Sequence, residues 1–187
     1  MATLVVADAS VLIALRQIGR LPLLEQLFDE VVIPPAVERE VARGGPRLPG
    51  WIRLRTLLRE PHARVAEASL GDGETEAISL ALETKAACVI LDDLQARRLA
   101  TKMGLTVVGT AGILFAAKKE GLISAIRPPL DALRDAGFRL RQNVYKEILR
   151  SAEKRRRERA MIPLAPSGPR LAPAVLGSGV RPMLYVS

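Results

Sequence analysis

Short apolar runs that end in aspartate constrain the fold of this chain more than any other feature. Asp8 directly follows the run Leu4–Ala7, and Asp92 and Asp93 directly follow the run Cys88–Leu91. Continuous apolar runs of this length are typical of strands buried on both faces of a parallel sheet. Because parallel strands end at the same edge, the pattern predicts that the three carboxylates gather where α/β sheets bind their ligands.

Helical patterns alternate with apolar runs along most of the chain, which predicts an α/β fold with a central parallel sheet and helices on both faces. A helix is expected after Asp8, with Ser10 as its N-cap, and another at 74–84, with Asp72 as its N-cap. The segment 51–58 is compatible with either a strand or a helix.

Composition indicates a polyanionic partner and a reducing compartment. The net charge is +8 and the pI about 10.4, which favours nucleic acid over a membrane surface. Of this charge, +5 lies in residues 151–187. That stretch begins with a basic run and becomes rich in Pro and Gly, so we predict a domain at 1–150 and a disordered tail at 151–187. The single cysteine, Cys88, fits a cytoplasmic protein without internal disulfides, and no apolar stretch is long enough to span a bilayer.

Carboxylates that share one sheet edge repel one another unless a cation lies between them. Asp8, supported by the Ser10 hydroxyl, can therefore be a metal ligand, although the same two residues can simply cap a helix. The predicted helix at 35–42 carries Glu38 and Glu40 on either side of its apolar stripe, and helical geometry does not choose between them.

Three further positions complete the candidate site. Glu74 lies one turn before an apolar helix position and can point at the sheet edge, although acidic residues also favour helix N-termini through the dipole. One of Asp92 and Asp93 can bind a cation while the other caps the next helix. Thr110, after the last apolar run, can bring a hydroxyl to the same pocket. A site built from carboxylates selects a hard cation, Mg²⁺ or Mn²⁺.

The order of these motifs resembles the PIN-domain nucleases, and within them the prokaryotic toxin-type branch of VapC-like ribonucleases. The resemblance covers residues 3–140 and rests on five short motifs: Asp8-x-Ser10, Val31-Val32-Ile33-Pro34 with Glu40, Gly73-Glu74 with Ala77-Ile78, Leu91-Asp92-Asp93 with Arg97, and Gly109-Thr110.

The resemblance implies a PIN-like α/β/α sandwich with an acidic pocket for Mg²⁺ or Mn²⁺. It implies that Asp8, Glu40, Glu74 and Asp92 are the catalytic acids, and it selects Glu40 over Glu38. Asp8, Glu74 and Asp92 are the expected metal ligands, with Asp93 an alternative. The implied reaction is hydrolysis of an RNA phosphodiester by a metal-activated water. Toxin-type relatives are held inactive by an antitoxin protein and commonly form homodimers.

Basic residues and two alternative functions complete the sequence reading. Arg97, Arg98 and Lys102 can contact the RNA backbone, although each can equally be a solvated charge. A haloacid-dehalogenase-like phosphatase needs a second aspartate where this chain has Ser10, which argues against that class. A catalytically inactive PIN-like module that binds RNA or a protein is the remaining alternative.

Overall fold

The computed structural model describes residues 3–43 and 45–160, with side chains as far as residue 152. The strands are β1 (Leu4–Ala7), β2 (Glu30–Ile33), β3 (Ile52–Leu54), β4 (Cys88–Ile90) and β5 (Val107–Val108). The helices in the described part are α1 (Ala9–Gln17), α2 (Leu23–Leu27), α3 (Pro35–Arg43), α4 (Ala63–Ala66), α5 (Asp72–Thr84), α6 (Leu94–Lys102), α7 (Thr110–Lys119), α8 (Arg127–Asp135) and α9 (Gln142–Ala160).

The strands form one parallel sheet in the order β3-β2-β1-β4-β5, which confirms the predicted α/β class. Val6 of β1 is in register with Val32 of β2 on one side and with Val89 of β4 on the other. The chain winds outward from β1 in one direction and from β4 in the other. The two strands that end in aspartate therefore meet where the strand order reverses, which is where open α/β sheets bind ligands.

Helices cover both faces of the sheet and make an α/β/α sandwich. On one face, residues of α1, α2, α7 and α8 such as Leu12, Leu24 and Leu130 are completely buried. On the other face, α5 and α6 contribute Ile78 and Ala96, which are also completely buried. Burying apolar area on both faces is the main stabilising contribution to such a sheet. It also fixes α1, α5 and α6 so that each begins at the acidic edge.

Some of the local predictions were wrong. The N-cap of α1 is Asp8 rather than Ser10, because the Asp8 carboxylate accepts the hydrogen bond from the Ser10 backbone N–H. The helix α5 begins at Asp72 itself, with Gly71 as its N-cap. The undecided segment 51–58 contributes the short strand β3 through pairing with β2.

The predicted boundary at residue 150 falls inside α9, which runs through to Ala160. The rest of the predicted tail, 161–187, lies outside the described residues. Within the described ranges no helix combines the length and the apolar character that crossing a membrane requires.

Candidate active site

Asp8 stands at the end of β1 with one carboxylate oxygen satisfied and the other not. Only 2% of its surface is exposed. Its Oδ2 accepts hydrogen bonds from the Ser10 backbone N–H at 3.1 Å and from the Ser10 hydroxyl at 2.6 Å. Its Oδ1 is buried and has no hydrogen-bond partner. Because a buried acceptor without a partner costs free energy, this oxygen needs an explanation in terms of function.

Gly73, in the first turn of α5, has no side chain, which leaves room for the Glu40 carboxylate close to Asp8. A Cβ atom at Gly73 would lie 3.0 Å from Glu40 Oε2 and 3.2 Å from Asp8 Oδ1. Oxygens from α3 and from β1 thus both lie against the backbone of this one glycine. Glu38 and Glu40 are both exposed, but Glu38 lines a different groove, on the β3 side of α3. The fold therefore brings Glu40, rather than Glu38, to Asp8.

The charges of this cluster act on one another. Burial raises the pKa of Glu40, the neighbouring charge of Asp8 raises it further, and the Arg43 guanidinium lowers it. Burial likewise raises the pKa of Glu74, and a hydrogen bond from its own backbone N–H lowers it. The charges of Asp8, Glu40 and Asp93 then raise the pKa of Glu74 further. The negative charges of the cluster therefore act on Glu74 as well, although its carboxylate lies against Gly71.

Asp92 and Asp93 have separate roles. Asp92 Oδ1 accepts from the Thr110 backbone N–H at 2.9 Å, and its Oδ2 accepts from the Thr110 hydroxyl. Burial raises the pKa of Asp92, the two Thr110 hydrogen bonds and Arg97 lower it, and Asp8 raises it. The exposed Asp93 instead caps α6 by accepting from the Ala96 backbone N–H at 2.8 Å. Of this pair, Asp92 is the residue coupled electrostatically to Asp8.

Arg97 lies at the site in a role that the sequence did not indicate. Its Nη1 donates to the Leu91 carbonyl oxygen at 3.3 Å. A Cβ atom at Gly109 would collide with this guanidinium and would lie 2.8 Å from Asp92 Oδ1. Arg97 is therefore drawn in against Asp92, whereas Arg98 and Lys102 remain exposed one helical turn apart on α6. An arginine in the first full turn after a strand-end acid is the signal that could have indicated this.

The donor set suits a hard divalent cation, because it consists of carboxylates and one of them presents an orphaned buried oxygen. The carboxylates are spaced more widely than the ligands of a preformed metal site. Among the described side chains, which end at residue 152, no three from His, Cys, Asp or Glu stand close enough together to hold a metal ion. Asp8 and Glu40, which meet at Gly73, would be the first residues to hold one, with Asp92 beside them.

Comparison with known proteins identifies the architecture. A family model described as PIN domain matches residues 4–154, which is most of the chain. No curated protein and no solved structure gives a significant match. The match extends from the start of β1 into α9, and so it includes every acid of the candidate site.

Proposed function

Because the chain belongs to the PIN-domain family, whose members are generally nucleases, we propose that it is a Mg²⁺- or Mn²⁺-dependent endoribonuclease that hydrolyses RNA phosphodiester bonds. The observation that carries the proposal is the buried Asp8 Oδ1, which has no protein partner and faces Glu40 across Gly73. A protein keeps such an unfavourable arrangement of carboxylates where it serves a function.

Each residue has a distinct role in the proposed reaction. Asp8, Glu40 and Asp92 would hold the divalent cation, which would supply Lewis acidity and a water of lowered pKa. Ser10 fixes the Asp8 carboxylate so that Oδ1 is the oxygen left for the ion. Thr110 fixes the Asp92 carboxylate in the same way. Glu74 stands at the rim, where its raised pKa suits it to exchange protons with attacking water or leaving group.

The proposal extends to the setting in which the enzyme acts. In line with the resemblance to toxin-type ribonucleases, the protein is the toxin of a type II toxin–antitoxin pair, a cytoplasmic homodimer inhibited by its antitoxin. The basic composition supports an RNA substrate, since exposed cations such as Arg98 and Lys102 can contact its phosphates.

One observation favours a second candidate, an inactive PIN-like module that binds RNA or protein. The described carboxylates do not form a three-residue metal group, as a preformed catalytic centre would. The two candidates differ in whether the protein cleaves RNA when a divalent cation is present, so a cleavage assay distinguishes them.

The decisive experiment incubates the purified protein with single-stranded RNA in Mn²⁺ or in EDTA. Cleavage should require Mn²⁺ and should fall about 10³-fold or more in Asp8→Asn, which removes the ligand charge while keeping the shape. Asp135→Asn makes the same change at an exposed site on α8 and should cleave normally.

A second readout does not depend on activity. Mn²⁺ should raise the melting temperature of the wild type and of Asp135→Asn, but not that of Asp8→Asn. If RNA stays intact in Mn²⁺, and Mn²⁺ does not raise the melting temperature of the wild type, the nuclease proposal fails and the binding module is the function that remains.

A further inference from the structure

A groove beside the acidic cluster is not explained by the proposed catalytic residues. It lies between α3, the loop that follows it and the edge strand β3, and encloses about 540 Å³. Its wall includes the apolar side chains of Ile33, Leu48 and Leu54. Leu54 is 50% exposed, so part of this apolar wall is open to solvent.

The polar part of the groove is mainly basic. Arg39 and Arg47 line it, and Glu38 is the acidic residue among its walls. Arg39 is 59% exposed and reaches Glu76 only at 3.8 Å, a surface ion pair that contributes little and leaves most of the guanidinium accessible. The surface is therefore complementary to an anionic ligand with apolar parts.

The groove adjoins a second cavity that lies at the acidic cluster. This cavity of about 310 Å³ shares Arg39 with the groove and is lined further along by Glu40, Arg43 and Gly73. One end of the groove lies at the carboxyl edge of the sheet, because Leu54 pairs with Ile33 at the ends of β3 and β2. Arg39 of α3 borders both this groove and the cavity that is lined by Glu40.

We propose that this groove is a substrate subsite for the nucleotides that flank the scissile bond of a single-stranded nucleic acid. The inference rests on the proposed nuclease function. Arg39 and Arg47 pair with backbone phosphates, which guanidinium groups recognise through their planar, forked geometry. The apolar wall at Leu48 and Leu54 contacts the faces of unpaired bases. A single strand whose scissile phosphate lies at Glu40 would pass Arg39, which lines both cavities, and so place its flanking nucleotides in the groove.

The test measures binding without cleavage. Fluorescein-labelled oligo(U) is titrated in EDTA at several salt concentrations, with the full chain and with Arg39→Gln/Arg47→Gln. The double variant should bind about 10-fold more weakly at low salt, and its log–log salt slope should fall by about 1.4, as expected for two lost contacts to single-stranded phosphates. The matched control, Arg20→Gln/Lys85→Gln, removes two exposed charges that follow α1 and α5 at the opposite edge of the sheet, and should change neither value.

A second variant tests the apolar wall. Leu54→Gln should weaken oligo(U) binding about threefold and leave the salt slope unchanged, because stacking contacts release no counterions. Each variant is first shown to melt like the wild type.

The remaining outcomes overturn the subsite and separate its failure from that of the nuclease. If the wild type cleaves RNA, and the arginine and leucine variants bind oligo(U) as tightly as the wild type does, the subsite is overturned but the nuclease function is not. If Arg39→Gln/Arg47→Gln weakens the binding of poly-L-glutamate but not that of oligo(U), the groove is a peptide site and not a nucleic-acid subsite. A wild type that neither binds nor cleaves would overturn both.

Discussion

The ends of β1 and β4 carry equivalent aspartates, but the protein satisfies only one of them. Both Asp92 oxygens receive hydrogen bonds from Thr110, and Arg97 adds a positive charge beside them. Asp8 receives hydrogen bonds on one oxygen, and its buried Oδ1 has none. The comparison teaches that the donors supplied by neighbouring segments decide whether both oxygens of a strand-end acid are held by the protein, as at Asp92, or one is left without a partner, as at Asp8.

The largest expected effect is a difference between Asp92 and Asp8 in how much each carboxylate contributes to the free energy of unfolding. Asp92→Ala should lower the free energy of unfolding in EDTA by about 2 kcal/mol, because two Thr110 donors lose their acceptor and the Arg97 guanidinium loses a neighbouring negative charge. Asp8→Ala should cost less than about 1 kcal/mol, since the loss of the α1 cap is offset by relief of repulsion on Glu40. Urea denaturation measures both, and equal losses would contradict the distinction.

A smaller effect tests how Asp92 is held. Thr110→Val removes the hydroxyl donor with little change in shape, so it should lower the free energy of unfolding by about 1 kcal/mol and cleavage by about 10-fold. Thr110→Ser keeps a hydroxyl and should restore most of the cleavage. If serine rescues no better than valine, packing of Thr110 rather than its hydrogen bond orients the carboxylate.

The smallest effect is the pH dependence of stability in EDTA. The pKa values of Glu40, Glu74 and Asp92 are raised, so in the range above their ordinary values the native state binds more protons than the unfolded state. The free energy of unfolding attributable to these groups should therefore fall as the pH rises from the ordinary carboxyl pKa values through the raised folded-state values.

Asp8→Asn serves as the comparison for that profile. The charge of Asp8 raises all three pKa values, so the variant should show a flatter decline than the wild type. Denaturation curves collected across this range measure the difference. Parallel profiles for the two proteins would show that Asp8 does not couple to the other acids.

Much of the fold and part of the site could be predicted from local sequence. The apolar runs before Asp8 and Asp92 specified buried parallel strands, and parallel strands must end together. The segment 51–58 could not be assigned, because β3 is short and forms only through pairing with β2. The cap of α1 was misassigned because serine and aspartate are equally good N-caps, and the backbone path after β1 determines which of them accepts the hydrogen bond.

By itself, the sequence determined the α/β class and the edge at which the acids collect, since hydrophobic periodicity and strand polarity are local properties. Helix geometry left Glu38 and Glu40 open and only the family resemblance favoured Glu40, which the tertiary structure places near Asp8. The tertiary structure alone decided that Arg97 turns inward, and that Asp93 caps a helix while Asp92 accepts from Thr110. Those choices depend on how closely α3, α5 and α6 approach the sheet. That approach is set by the missing side chains of Gly73 and Gly109 and by packing between residues far apart in the chain.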